Sequence, residues 1–158
     1  MKRPRKKLSK ADKELIAAAT AAIKQRYRDD WQEVGAALRT RSGKIFTGVN
    51  LDAYLGRMAV CAEAVALGRA VVELGDAGID VIVAVRHPPP HDTDQSIAVV
   101  SPCGACRELI FDYDPNACVI VPDRRPSRSD KRRKEGRGAA VVSIGDLLPT
   151  RYSRGQER

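Results

Sequence analysis

Two short stretches, Cys61-Ala62-Glu63 and Pro102-Cys103-Gly104-Ala105-Cys106, carry most of the information in this chain of 158 residues. Together they offer three thiols at the spacing of metal ligands, with one carboxylate beside them. Thiolates are good ligands of Zn²⁺, and a zinc ion with only three protein ligands keeps an open position for catalysis. We therefore predict a catalytic zinc site with Cys61, Cys103 and Cys106 as ligands and Glu63 as the group that moves protons.

A fourth cysteine or histidine ligand would make this site structural instead. Cys118 lies in an apolar run typical of a strand, where a buried free thiol is expected. His87 and His91 flank a proline-rich loop and stay open as weaker alternatives. An open fourth position is the favoured interpretation.

The charge of the predicted site needs compensation, because three thiolates and one Zn²⁺ sum to a net negative charge. Both stretches are predicted to lie at the start of helices, whose positive ends favour thiolates. Arg107, directly after Cys106, is the side chain predicted to supply further positive charge.

The chain has no apolar run of transmembrane length, and no apolar segment follows its N-terminal charges as in a signal peptide. Four cysteines in such a chain indicate metal binding or catalysis rather than a disulfide framework. We expect a cytoplasmic protein that does not associate with a membrane. Its predicted parts are a basic tail (1–10), one catalytic domain (11–152) and a short C-terminal tail (153–158).

The formal net charge of +8 is unevenly distributed. Residues 1–10 contain six Lys and Arg, and eight more lie in 124–137, within a predicted basic loop at 123–138. Elsewhere, acidic residues outnumber basic ones. This pattern favours two solvated charged segments over a nucleic-acid-binding face, with weak polyanion binding as the alternative.

Apolar periodicity and turn residues predict an α/β layered domain with a mixed sheet. Ser9 and Asp12 form a capping-box pattern before a helix, and Ser42-Gly43 is the turn signal of a β-hairpin. Ser101 and Pro102 resemble an N-cap and first helical residue. After this first helix, the further predicted helices are 59–74, about 101–112 and 143–148. The predicted strands are 34–38, 45–49, 79–85, 97–100, 117–121 and 139–142.

Cys-x-Glu followed by Pro-Cys-x-x-Cys matches the signature of zinc deaminases, with a cysteine in place of the first histidine. The chain resembles the cytidine deaminase family. Within that family it is most similar to the small, tetrameric, blasticidin S deaminase-like enzymes. The resemblance extends to Gly43–Asn50 and to Asp146–Pro149 followed by Tyr152, and it spans roughly residues 14–152.

This resemblance implies a three-layer α/β/α fold with a mixed five-stranded sheet, one Zn²⁺ per chain and a homotetramer. It implies hydrolytic removal of an amino group from a cytosine-type nucleoside or a related small heterocycle, with release of ammonia and with Glu63 as the proton shuttle. Tyr152 would serve the pocket of a neighbouring subunit. The other implied substrate contacts are Asn50, Asp52, Trp31 and the backbone of Ala62 and Ser101.

Departures from the family pattern fall on the substrate side. Asn50-Leu51-Asp52 replaces Asn-x-Glu, Trp31 is displaced from the usual stacking position, and Ala64 stands where an Arg is usual. Glu108 replaces a Gln, and Gln95–Ala98 lacks an expected Arg. The candidate substrates therefore remain cytidine or deoxycytidine, blasticidin S, and a free or modified base of pyrimidine or triazine type. A polynucleotide-editing deaminase and a non-enzymatic zinc module are the weaker alternatives.

Overall fold

The computed structural model describes residues 6–75, 78–123 and 138–151, which form three α-helices and six strands. The helices are α1 (Lys10–Arg26), α2 (Ala62–Leu74) and α3 (Gly104–Tyr113). The strands are β1 (Val34–Thr40), β2 (Ile45–Val49), β3 (Ile79–Arg86), β4 (Ala98–Val100), β5 (Cys118–Pro122) and β6 (Ala139–Ser143). Tyr152, the predicted tail 153–158 and nearly all of the predicted basic loop lie outside the described residues.

One mixed sheet contains all six strands. Five of them run in the order β2-β1-β3-β5-β6, and only β3 and β5 pair in parallel. The sixth, β4, pairs antiparallel with Ala84–Arg86 of β3, beyond the point where β5 pairs with Val81–Val83. The predicted mixed sheet is thus confirmed, with six strands rather than five because β4 occupies a part of the β3 edge that β5 leaves open.

Helices cover both faces of the sheet. Successive side chains of a strand point to opposite faces, so Ala37 packs in the cluster with α1 while Leu38 packs in the cluster with α2 and α3. The predicted three-layer α/β/α architecture is confirmed. No helix among the described residues is long and apolar enough to cross a membrane.

The start of α1 is fixed by the predicted capping box. Ser9 Oγ accepts a hydrogen bond from the Asp12 amide at 3.2 Å, and Asp12 Oδ2 accepts one from the Ser9 amide at 2.9 Å. Arg39 of β1 donates to the other Asp12 oxygen at 3.0 Å and to Asp80 at 2.8 Å. Just before the helix, the backbone of Lys6 pairs with Val141 at the edge of β6.

The starts of the two helices that carry the cysteine motifs lie later than predicted. Helix α2 begins at Ala62 with Cys61 as its N-cap. Helix α3 begins at Gly104 with Cys103 as its N-cap, so the assignment of this role to Ser101 was wrong. The reason is that Cys103 Sγ accepts the Cys106 amide at 3.4 Å, which is the bond that a Ser hydroxyl would otherwise make. The predicted helix at 143–148 is a 3₁₀ turn, Ile144–Leu147.

Candidate active site

Three thiols converge where α2 and α3 begin. Cys61 and Cys103 occupy the N-cap positions of the two helices, and their Sγ atoms lie 3.7 Å apart. Cys106 lies in the first turn of α3, and all three Sγ atoms are within 4.8 Å of one another. The structure therefore brings together the three predicted ligands, two of them exposed and Cys106 buried.

The geometry of this cluster suits zinc. Two thiolates bound at about 2.3 Å to a tetrahedral ion lie roughly 3.8 Å apart, close to the distance found between Cys61 and Cys103. Within the described ranges, no histidine, carboxylate or fourth cysteine joins this cluster. His87 instead stacks on Tyr27, with ring centroids 3.8 Å apart, and its Nδ1 lies 2.7 Å from the Pro88 carbonyl oxygen. The donor set thus leaves room for a non-protein fourth ligand.

The protein environment treats the three thiols differently. Burial alone would raise the pKa of Cys103, but the Cys106 amide and the two neighbouring thiols outweigh it and hold that pKa below its ordinary value. Burial raises the pKa of Cys61, with a contribution from Cys103. Burial also raises the pKa of Cys106, where the Glu63 charge adds to the effect. Of the three thiols, Cys103 is thus the one whose pKa the surrounding protein lowers.

Glu63 is the second residue of α2, and its side chain is buried in the same region. It is only 6% exposed, which is unusual for a carboxylate. Burial raises its pKa, and its own backbone amide and the Cys106 thiol offset this only in part. A raised pKa makes a carboxylate a better proton acceptor, as a proton shuttle needs.

Cys61, Cys103 and Glu63 line a cleft of about 310 Å³. Its walls include four of the residues predicted to contact substrate: Asn50, Asp52, Ala62 and Ser101. Sequence reasoning missed the apolar part of the lining, because aliphatic side chains in a wall and in a core have the same sequence signal. The missed residues are Val34, Leu51, Ala59, Val60 and Val100.

A second cavity of about 220 Å³ adjoins this cleft. Its lining includes Val34, Asn50 and Asp52, which also line the cleft, so the two spaces share a wall. Trp31 lines the second cavity rather than the cleft. Its ring lies 5.2 Å from that of the exposed Tyr54. The remaining lining residues are Asp30 and Glu33.

Asn50 uses most of its hydrogen-bonding capacity on the protein itself. Its Oδ1 accepts the amides of Glu33 (3.0 Å) and Val34 (2.9 Å). Its Nδ2 donates to the Trp31 carbonyl at 2.8 Å. An amide group has two donor hydrogens, so one N–H remains for another partner. Asn50 thereby holds the segment before β1 against the end of β2.

Arg107 connects backbone segments around the metal site. Its Nε donates to the Pro102 carbonyl at 2.9 Å and its guanidinium reaches the Leu147 carbonyl at 3.5 Å. These bonds place a positive charge next to the residue that precedes Cys103. The predicted compensation of thiolate charge by Arg107 remains a prediction.

Residues 9–122 match the family described as the cytidine and deoxycytidylate deaminase zinc-binding region. The chain belongs to this family. A blasticidin-S deaminase of Bacillus cereus is 45% identical over 148 residues, which cover 93% of this chain and 96% of that relative. A probable cytidine deaminase of Dictyostelium discoideum is 34% identical over 101 residues, or 63% of each chain.

Solved structures of this family have the same architecture. The crystal structure of a cytidine deaminase from Burkholderia pseudomallei matches with a TM-score of 0.66 and 28% identity, covering 92% of this chain and 100% of that one. Together these similarities confirm the predicted reaction class and cofactor. The protein is a zinc-dependent hydrolytic deaminase of the cytidine deaminase family.

Proposed function

We propose that this deaminase acts on a cytosine-type nucleoside and that blasticidin S is the leading candidate. The observation that carries the reaction is the buried Glu63, which lines the same cleft as Cys61 and Cys103 of the three-thiol cluster. The leading candidate is supported by the 45% identity to a blasticidin-S deaminase, which extends over nearly the full length of both chains.

The residues at the cleft provide a chemical group for each step of the proposed reaction. Zn²⁺ held by Cys61, Cys103 and Cys106 would supply a Lewis acid that lowers the pKa of water. Glu63 accepts a proton as water adds to the amino-bearing ring carbon, and donates one to the ring nitrogen. Glu63 next takes the proton of the new hydroxyl group and passes it to the amino group, so that the C–N bond breaks, a C=O bond forms and ammonia leaves. The backbone at Ala62 and Ser101 holds the ring edge.

The shape of the site favours a nucleoside over a free base. The ring occupies the cleft, and the part attached to the ring extends past Asn50 and Asp52 toward the second cavity, whose wall they share. Asn50 has one free N–H for a substrate oxygen. Asp52 is exposed, with one carboxylate oxygen on the Ala53 amide at 2.7 Å. Trp31 and Tyr54 form an aromatic edge beside this path.

Ammonia release from a matched substrate series tests this proposal. The series contains blasticidin S, cytidine, deoxycytidine, cytosine and an aminated triazine. We expect blasticidin S to give the highest kcat/KM and cytosine to give a value lower by about 10²-fold or more, because the base lacks the part held beyond the cleft. Preference for cytosine or the triazine would overturn the assignment to a nucleoside, and preference for cytidine would replace blasticidin S as the substrate.

We also propose that the protein assembles as a homotetramer in the cytoplasm. An exposed apolar segment follows β2 and reaches the cleft through Leu51 and Val60, as expected for a surface that another copy covers. In such an assembly Tyr152 contributes to a neighbouring pocket. Cys61, Cys103 and Cys106 gather as thiols at the candidate metal site, which suits a reducing compartment. The apolar side chains of the segment are Leu51, Tyr54, Leu55, Met58 and Val60.

Light scattering coupled to size-exclusion chromatography tests the assembly. We expect four chain masses for the parent protein and a smaller species for Leu55→Asp combined with Met58→Asp. Tyr152→Ala should lower activity without changing the mass. A monomeric parent protein that is fully active would contradict the proposal.

A further inference from the structure

Gly48 of β2 packs directly against the first turn of α2. A Cβ atom built at this position would lie 2.6 Å from the Ala62 carbonyl oxygen and 2.7 Å from the Ala66 amide nitrogen. It would also meet Val65 Cβ at 3.0 Å. Real Cβ atoms essentially never approach neighbours closer than 3.0 Å, so even one methyl group here must move the contacting atoms.

Two of the three contacted atoms belong to the backbone of α2, which a rotamer change cannot move away. The conflict is therefore relieved by displacing the start of the helix from the sheet, by about 0.5–1 Å to restore ordinary contact distances. That part of α2 carries the N-cap Cys61 and the buried Glu63. Productive active-site geometry tolerates errors of only about 0.5 Å.

We infer that Gly48 is a positioning residue for catalysis: its missing side chain sets the distance between β2 and α2 and so places Glu63 in the cleft. The inference rests on the proton-shuttle role proposed for Glu63. Gly48 itself contacts no reacting atom, and its effect passes through the backbone of α2.

Gly35 of β1 provides a matched control. A Cβ at Gly35 would lie 2.5 Å from the Ala19 carbonyl oxygen and 2.9 Å from Ile23 Cβ, both in α1. This conflict is as severe as the one at Gly48, but α1 covers the opposite face of the sheet from α2. A methyl group at Gly35 thus displaces a helix that carries none of the proposed catalytic or metal-binding residues.

The experiment compares Gly48→Ala and Gly35→Ala as zinc-loaded, folded proteins, after the zinc content of each has been measured. Both variants should lose stability to a similar extent in urea. With the best substrate of the series, kcat of Gly48→Ala should fall by about 10²-fold, with KM changed less than about threefold, while Gly35→Ala keeps kcat within about threefold of the parent. Equal losses of kcat in both variants, or full kcat in zinc-loaded Gly48→Ala, would overturn the inference.

A double variant separates the role of Gly48 from that of Glu63. If Gly48 acts through Glu63, adding Gly48→Ala to Glu63→Gln lowers kcat little further, whereas independent effects would multiply. Full activity in Glu63→Gln alone would remove the proposed mechanism. Loss of activity in Glu63→Gln together with multiplicative effects would remove only the inference about Gly48.

A second variant covers the case in which Gly48→Ala does not accumulate as folded protein. Adding Val65→Ala removes the two methyl groups beyond the Val65 Cβ and so lowers the crowding beside residue 48, while the Cβ itself stays. It leaves the conflict with the Ala62 and Ala66 backbone that displaces α2. The double variant should fold and still show the roughly 10²-fold loss of kcat. The single variant Val65→Ala should fold and should not show this loss. Equal kcat for the pair and for Val65→Ala would overturn the inference.

Discussion

The Sγ atoms of Cys61 and Cys103 lie 3.7 Å apart, although 42 positions separate the two residues in the chain. Each residue is the N-cap of a different helix, and both helices lie on the same face of the sheet. A zinc ion bound at this point therefore links α2 to α3. Because an ion that binds only the folded state stabilises it, we expect metal occupancy and stability to be coupled in this protein.

Loss of one predicted ligand should abolish metal binding and reveal this coupling. We expect Cys103→Ser to reduce zinc from one ion per chain to nearly none and to lower the free energy of unfolding by about 3 kcal/mol where zinc exceeds its Kd by roughly 100-fold. Metal analysis and urea denaturation measure the two effects. Cys118→Ser, outside the thiol cluster, should keep its zinc; equal loss of zinc in this control would contradict the ligand assignment.

Replacement of the buried carboxylate should separate metal binding from chemistry. Glu63→Gln keeps the size of the side chain but cannot accept a proton, so we expect full zinc content and a fall in kcat of about 10²–10⁴-fold. The rate of ammonia release at saturating substrate measures kcat. The matched control is Glu73→Gln on the same helix, where the carboxylate is exposed and pairs with Arg69. That variant should keep parental activity.

Local sequence patterns predicted the elements of this fold well, because their signals are short-range. The capping box at Ser9 and Asp12 and the hairpin turn at Ser42-Gly43 depend on residues a few positions apart, and both occur as expected. The helix starts at Cys61 and Cys103 were missed. Sequence rules favour hydroxyl and carboxylate caps, whereas the Cys103 thiol takes that place at α3 and the Cys61 side chain makes no capping hydrogen bond at α2.

The candidate site was only partly predictable, because its walls are assembled from distant parts of the chain. The choice of Cys61, Glu63, Cys103 and Cys106 as candidate site residues follows from their spacing and type. The contact of Gly48 with α2 has no such signal, since a glycine in a strand gives no information about which helix packs on it. The same holds for Asn50, whose bonds to the segment before β1 depend on the tertiary structure.

Asn50 should contribute to stability as well as to substrate binding. Asn50→Ala removes three hydrogen bonds to the backbone of Trp31, Glu33 and Val34, so we expect a loss of about 2–3 kcal/mol in the free energy of unfolding. We also expect a KM raised by about tenfold, since a lost substrate hydrogen bond costs roughly 1.4 kcal/mol. Urea denaturation and steady-state kinetics measure these effects. Asn116→Ala, at an exposed turn, should change neither quantity.

Asp12 should stabilise the fold in a pH-dependent way. Burial alone would raise its pKa, but hydrogen bonds from Ser9 and Arg39 outweigh burial and hold that pKa below its ordinary value. A carboxylate of this kind stabilises the folded state at pH values above its ordinary pKa, and the contribution is lost as the pH falls through the lowered value. Asp12→Asn should therefore cost about 1–3 kcal/mol near pH 7, and this difference from the parent should shrink toward about pH 3. Urea denaturation at a series of pH values measures it, with Glu14→Gln, an exposed carboxylate on the same helix, as the control. A cost that stays constant across the series would show that Asp12 acts through packing and not through its charge.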